Sequence, residues 1–325
     1  MGLSSSAPPS SLSQGSLTRG HVNVVSRRRN APERLKQGLR RSLSGYLFLL
    51  PALLVFVLFV WYPVVLGFAI SFQSVDLINP STWVGFSNYH QVFLDPLFQI
   101  AWRNTLAFTG YALLFGYFIP ILFALFVNEM RNGRGYFRLA FYVPVMLPPI
   151  VTVFLWRWIY NPDSGLLNAL FSLLHLPTRL WLETPGTALP ALMVIATWSN
   201  AGSAMLIYLA ALQGVPPSLY EAAEIDGASI LRRLWHVTLP NIRPILLLML
   251  VLQIIGTMQV FIEPFTITNG GPQNATMSIL LLIYNYAFQQ ADFGGASAIG
   301  VLLFLVLAVF ALIYMRLTSR LMQGD

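Results

Sequence analysis

Six long apolar runs, parted by shorter polar stretches, set the pattern of the chain. A bilayer-spanning helix needs about 20 apolar residues, and residues 46–72, 102–127, 139–159, 188–212, 245–267 and 296–317 meet that length. The pattern therefore predicts an all-α polytopic membrane protein with six transmembrane helices. The first run is too long for a signal-peptide core and no small-residue cleavage site follows it, so it is expected to remain as a permanent span. A seventh apolar stretch, "MSILLLIYNYAF" at 277–288, is too short to cross. It is expected to form a re-entrant or interfacial helix beneath the turn "NGGP" at 269–272. No internal repeat stands out.

Composition agrees with this reading. Of 325 residues, 56% are hydrophobic and only 10% charged, against about 25% charged in a soluble domain. There is no cysteine, which rules out disulfides and thiolate chemistry. His21, His90, His175 and His236 are scattered with no ligand spacing between them, so no metal site is expected.

The position of charge predicts orientation. The first 41 residues hold eight of the basic residues and one acidic one, equal to the whole net charge of +7. This Ser- and Pro-rich stretch lacks interleaved aromatics and runs into a span, so residues 1–44 read as a disordered cytoplasmic tail and not as a nucleic-acid arm. Sixteen of nineteen basic residues fall in this tail, in the loops holding Arg131–Arg138 and Arg232–Arg243, or at Arg316 and Arg320. Lys and Arg favour the cytoplasmic side; both termini are therefore expected there, including the tail 319–325. Loops 73–101, 160–187 and 268–295 are expected outside.

The stretch "EAAEIDGASILRRLWHVTLPNIRP", 221–244, puts a charged segment between two long apolar runs. Ser218 to Glu221 has the spacing of a capping box behind Pro216 and Pro217, predicting a helix that starts at Ser218. Ala222 and Ala223 keep one face thin. Asp226-Gly227 ends or bends the helix, because glycine has conformational freedom and admits close approach. A second helical segment is expected to stop at Pro240, with Pro244 opening the fifth span. Spacing alone leaves two readings: a rigid knuckle that fits a groove of another protein, or an amphipathic loop on the membrane surface, favoured by Arg232, Arg233 and Trp235. The chain cannot supply its own ATP site, because Lys36 is its only lysine and no Gly-rich loop precedes it.

Glu221-Ala222-Ala223, Gly227 four residues after Ala223, and Leu239-Pro240 resemble the EAA signature of permease subunits of ATP-binding-cassette importers. "LFLLPALLVFVLFVWYPVVLGFAISFQS", "WVGFSNYHQVFLDPLFQIAWRNTLAF", "YNPDSGLLN" and "TNGGPQNAT" are similar to the carbohydrate-uptake branch, the maltose, trehalose and glycerol-phosphate types. The likeness runs over about residues 45–318, and motif order resembles the first of two unlike permeases in the plain six-span form. It implies a permease domain at 45–318 with a cytoplasmic coupling loop at 214–244. In that loop Glu221, Ala222, Ala223, Asp226, Gly227, Leu239 and Pro240 dock on an ATPase. The implied partners are a second permease, two ATPase subunits carrying ATP and Mg, and an extracytoplasmic solute-binding protein. The implied location is the bacterial cytoplasmic (inner) membrane, and this chain itself is expected to bind no cofactor and catalyse nothing.

Polar groups inside spans are costly unless they pair or line a wet path. Trp198, Ser199, Asn200 and Ser203 cluster in the fourth span, and Gln253, Thr257 and Val260 share a helical face in the fifth, with Glu263 a turn further out. Amides and hydroxyls match sugar hydroxyls, and Trp198 offers a stacking face. These segments coincide with those that contact sugar in maltose-type relatives, although the fifth span here has fewer Asn and aromatic residues. Interhelical packing is the competing explanation for each polar residue. Arg157 and Glu263 are expected near the outer interface, free to snorkel or pair. Spans four and five contain no cation and the sixth only Arg316 at its end, which favours a neutral di- or oligosaccharide over glycerol phosphate or a phosphodiester. A secondary transporter would need buried coupling-ion sites, and an intramembrane enzyme would need H-E-x-x-H, D-x-D or G-x-S-x-G; the chain has one intramembrane Glu and none of these motifs.

Overall fold

The computed structural model describes residues 48–76 and 78–322. The expected basic tail and the last three residues lie outside the described residues. Two compact units are distinguished, Met1–Trp61 and Tyr62–Asp325. In the first, the described residues 48–61 are helical, closing in a π-helical turn at Val57–Trp61, and are exposed throughout. They belong to the apolar run Phe48–Ile70, long enough to span and with none of it buried, as suits a helix facing lipid.

The second unit is almost entirely helical. Helix α1 (Tyr62–Ile70) leads to a two-stranded antiparallel ribbon, β1 (Gln73–Ser74) and β2 (Thr82–Trp83), in which Gln73 pairs with Trp83. A short α2 (Ser87–Leu94) follows, and then the second span, α3 (Pro96–Glu129). Asp95 starts α3 by accepting from Leu97 N at 2.8 Å, with Pro96 preset for the first helical position. Midway, a π-helical turn at Ala112–Gly116 inserts one extra residue into the ladder.

The third run is not one straight helix. It forms α4 (Arg134–Met146) and α5 (Pro149–Ile159), bent by 100° from each other. Leu147-Pro148-Pro149 explains the break: neither proline has an N–H to continue α4, and the residue before a proline is pushed to extended backbone, as Leu147 is at ψ 131°. Among the described residues there are five helices long enough to span, six if this bent pair counts as one. A surface helix α6 (Leu166–Leu173) lies between it and the fourth span, α7 (Pro185–Gln213). Asn168 pins that loop by donating to Pro162 O and Arg179 O, both at 3.0 Å, and accepting from the Trp181 indole at 2.8 Å.

Two further expectations are corrected. Helix α8 (Pro217–Ile225) starts one residue before Ser218 and has no side-chain cap, its first turn being set by Pro216-Pro217. The next segment does not stop at Pro240. Helix α9 runs unbroken from Ile230 to Met258, through Pro240 and Pro244. A π-helical turn at Leu234–Thr238 re-spaces the ladder ahead of the prolines, and Asn241 donates its side-chain amide back to Val237 O at 2.7 Å within the same stretch. The fifth span instead ends early, at Met258, and the chain re-forms as a π-helical turn at Pro264–Thr268. The 277–288 segment forms the expected short helix. Helix α10 (Ile279–Gln289) sits inside the protein, with Ile279, Leu281 and Leu282 fully buried.

The last helix, α11 (Phe293–Met322), completes the bundle. Its core has three parts. One surrounds α10, with Val92, Phe98, Met258 and Ile299. A second joins α3, α5 and α7 through Phe108, Val153, Leu192 and Val260. The third, Ile121, Met205, Tyr208, Leu212 and Ile242, packs against Tyr220, Val237 and Leu239 and so joins the spans to the polar knuckle. Helix α7 is the pillar common to the latter two. Gly202 lets it touch α4: a Cβ there would lie 2.4 Å from Phe141 O and 2.9 Å from Tyr142 Cα.

Candidate functional site

A cavity of about 490 Å³ opens between α3, α7 and α9. Helix α7 supplies Met193, Thr197, Asn200 and Ala204, which recur at three or four residues and so share one face. Helix α9 supplies Gln253 and Thr257, and the broken end of the fifth span adds Gln259, Val260, Phe261 and Glu263. The structure thus brings Asn200, Gln253, Thr257 and Glu263 to one space. The helical-face argument that linked Gln253 to Val260 and Glu263 does not hold beyond Met258, where the helix ends; the break turns both residues to the same cavity by another route.

The other three do not join them. Ser199 lies in an adjacent cavity of about 180 Å³ at the α4–α5 break, to which Asn200 and Glu263 also contribute. Trp198 faces an apolar groove with Tyr111, Phe115 and Phe141, and sits edge-on to Trp156 at 5.6 Å. Ser203 is exposed and lines none of these spaces. At about 100° per residue, Ser199 and Ser203 stand about 40° apart, and about 100° and 60° respectively from Asn200.

Hydrogen bonding within the cavity is mostly local. Asn200 Nδ2 donates to Ala196 O at 2.8 Å, and Thr257 Oγ1 to Gln253 O at 2.8 Å. Gln253 Nε2 reaches Ala112 O of α3 at 3.5 Å, the outer limit of such a bond. These bonds use the amide nitrogens and leave the side-chain oxygens of Asn200 and Gln253 as acceptors. No Lys or Arg lines the cavity among the described residues, and its one ionisable group is Glu263. Arg157 is occupied elsewhere: it donates to Thr266 O and Ile267 O, both at 3.0 Å, tying α5 to the turn after the fifth span.

Sequence reasoning missed Thr197 and the α3 wall, Phe108, Ala112 and Gly116. Stepping three and four residues from Asn200 would have found Thr197. Nothing polar marks the α3 residues, so no signal of that kind was present.

At the other functional segment, α8 ends in a Schellman turn. Gly227 N donates to Glu224 O at 3.0 Å and Ala228 N to Ala223 O at 2.9 Å, with Gly227 at φ +70°. Glu221, Ala222, Asp226, Gly227 and Pro240 are exposed, whereas Ala223 and Leu239 are partly buried. A Cβ on Gly227 would meet nothing within 4 Å, so the surface beyond it is open. Ile225 at 87%, Ile230 at 72% and Trp235 at 63% exposure crown the knuckle with apolar surface. Behind it, Tyr220 Oη and Thr238 Oγ1 bond at 3.1 Å, and Arg233 lies 3.9 Å from Glu224, linking α8 to α9.

A knuckle packed against spans that enclose a polar cavity suits a transport subunit. Residues 112–324 match the family model "Binding-protein-dependent transport system inner membrane component", and the chain belongs to that family. It is 36% identical to the trehalose/maltose transport system permease protein MalF of Thermococcus litoralis, over 85% of this chain and 94% of that protein. It is 32% identical to the arabinooligosaccharides transport system permease protein AraP of Bacillus subtilis, over 86% and 90%. Among solved structures, a chain of a bacterial alginate ABC transporter, in complex with a periplasmic protein bound to an alginate pentasaccharide, is 28% identical. It superposes with TM-score 0.79 over 89% of this chain and 98% of that one.

Proposed function

We propose that this chain is one of two permease subunits of an ATP-binding-cassette importer for a neutral di- or oligosaccharide. The observation that carries the reading is the cavity itself: Asn200, Gln253 and Thr257 converge from two spans on one space, with no lining cation. Amide and hydroxyl groups donate to and accept from sugar hydroxyls, whereas a phosphate or uronate wants Arg or Lys. Relatives with trehalose, maltose or arabinooligosaccharides in their names favour the same class.

In this reading the chain hydrolyses nothing and holds no cofactor. Two ATPase subunits, with ATP and Mg, receive Glu221 to Pro240 in a cleft; closure of the cleft moves α8, and the Tyr220–Thr238 contact passes the motion to α9 and α7. A second permease supplies the facing half of the pathway, and a solute-binding protein delivers the sugar from outside. The assembly sits in the bacterial inner membrane with both termini, the loop 214–244 and the tail 319–325 on the cytoplasmic side, following the bias of basic residues. Purification of the tagged chain, expressed with its neighbouring genes, tests the reading. Recovery of a second permease and an ATPase, and ATP-dependent uptake of trehalose, maltose or an arabino-oligosaccharide into proteoliposomes with the binding protein present, is the expected result. A chain that purifies alone and transports without ATP is a secondary transporter instead.

A further inference from the structure

The α3 wall of the cavity carries no hydrogen-bonding side chain, yet there the second span meets both the fourth and the fifth. The π-helical turn Ala112–Gly116, in which Tyr117 N reaches back to Ala112 O at 2.9 Å, brings both Ala112 and Gly116 to the cavity. Such turns place an extra residue in the helix and occur frequently at functional sites. A Cβ on Gly116 would lie 2.8 Å from Gln253 Nε2 and 3.2 Å from Thr197 Oγ1. Gly116 is buried, so this absence of a side chain is not merely an open surface. The Gln253 amide fills the space a side chain would take.

We propose that Gly116 sets the bore of the solute pathway, by giving the Gln253 amide a resting place against the second span. This deepens the sugar-permease reading and rests on it for its consequence in transport. The weak 3.5 Å bond from Gln253 Nε2 to Ala112 O keeps the amide at the wall without fixing it strongly. Any β-carbon at 116 evicts it. The nearest obstructing atoms are the ends of the Gln253 and Thr197 side chains and not backbone, so the helices need not move. Thr197 is itself held, donating to Met193 Sδ at 3.1 Å. Gln253 is the group that yields, and a displaced amide on a cavity-lining side chain narrows the cavity. Long oligosaccharides are excluded before short ones.

The chain contains no cysteine, so Thr257→Cys provides its single thiol inside the cavity. In the assembled complex, with thiol-free partner subunits, modification rates are measured with a small ethylammonium methanethiosulfonate and with one bearing a disaccharide. Gly116→Ala is expected to slow the bulky reagent about tenfold, the lower end of what one added carbon produces in a closed pocket, and to leave the small one unchanged. Adding Gln253→Ala restores the bulky rate. Unchanged rates, an equal loss for both reagents, or no restoration by Gln253→Ala overturns the proposal. These rates do not depend on any sugar. Uptake of a ladder of neutral oligosaccharides by the same variants separates the two ideas: if the wild type moves none of them, the sugar reading falls while the thiol rates still decide the role of Gly116.

Discussion

The knuckle and the cavity are built from contacts of very different reach. In the knuckle, the bonds that end α8 join residues three to five apart, from Gly227 to Glu224 and from Ala228 to Ala223. In the cavity, the bond that ties Gln253 to the second span joins positions 141 residues apart. A local motif keeps its shape when its surroundings move, which is what a docking element requires. A cavity assembled from three separate spans changes shape whenever one span shifts, which is what a pathway open alternately to two sides requires. Rigid input and deformable output are joined by the core of Tyr208, Leu212 and Ile242 against Tyr220 and Leu239.

The comparison breaks most sharply at Gly227. Its φ of +70° costs a side-chain-bearing residue about 1–2 kcal/mol, more when β-branched, and a side chain there projects onto the proposed docking face. Gly227→Val is expected to insert in the membrane normally and yet to lose the ATPase from the purified complex, with uptake abolished. An ATPase retained at wild-type stoichiometry would place the docking surface elsewhere.

Changes in the cavity are expected to leave docking intact. Gln253→Leu combined with Thr257→Leu removes two of the groups available to sugar hydroxyls and leaves both positions apolar. Uptake should fall to background while the ATPase still co-purifies; full uptake by this pair would mean that the polar residues serve only to pack helices. A smaller effect is expected where the regions meet the same pillar. Gly202→Ala drives a methyl group to 2.4 Å from Phe141 O, which is backbone and cannot step aside. Overpacking of this kind costs about 1–3 kcal/mol, to be read as a lower midpoint of thermal unfolding of the complex, with uptake reduced only in proportion to the folded fraction.

The difference in reach also explains which features were legible in the sequence. Glycine at 227 and the thin Ala222-Ala223 face announce the knuckle within a few residues. The six apolar runs announce the spans. Breaks inside spans were misread because prolines act according to context: Pro148-Pro149 bends the third span by 100°, while Pro240 and Pro244 ride inside α9 on a π-helical turn and an Asn241 side-chain bond. Burial of α10 depends on what surrounds it, and its short apolar sequence reads the same on a membrane surface as in a core. Gly116 was silent, since its role lies in the space it leaves to Gln253.

Asn200 and Ser203 give the finest comparison, because both are small polar residues less than one turn apart on one helix. Grouped by proximity in sequence they belong to one cluster, but at about 100° per residue three steps carry Ser203 some 60° from Asn200 on the helix. That rotation takes it out of the cavity: Asn200 lines two of the spaces described above and Ser203 none. Asn200→Ala removes an acceptor from the pathway and is expected to raise the solute concentration needed for half-maximal uptake, with the ATPase still bound. Ser203→Ala is expected to change uptake and stability little, since exposed substitutions usually fall within about 0.5 kcal/mol. If Ser203→Ala proved the more damaging of the two, the face of α7 that meets the solute would be the exposed one that carries Ser203. The pathway would then run outside the cavity bounded by this chain.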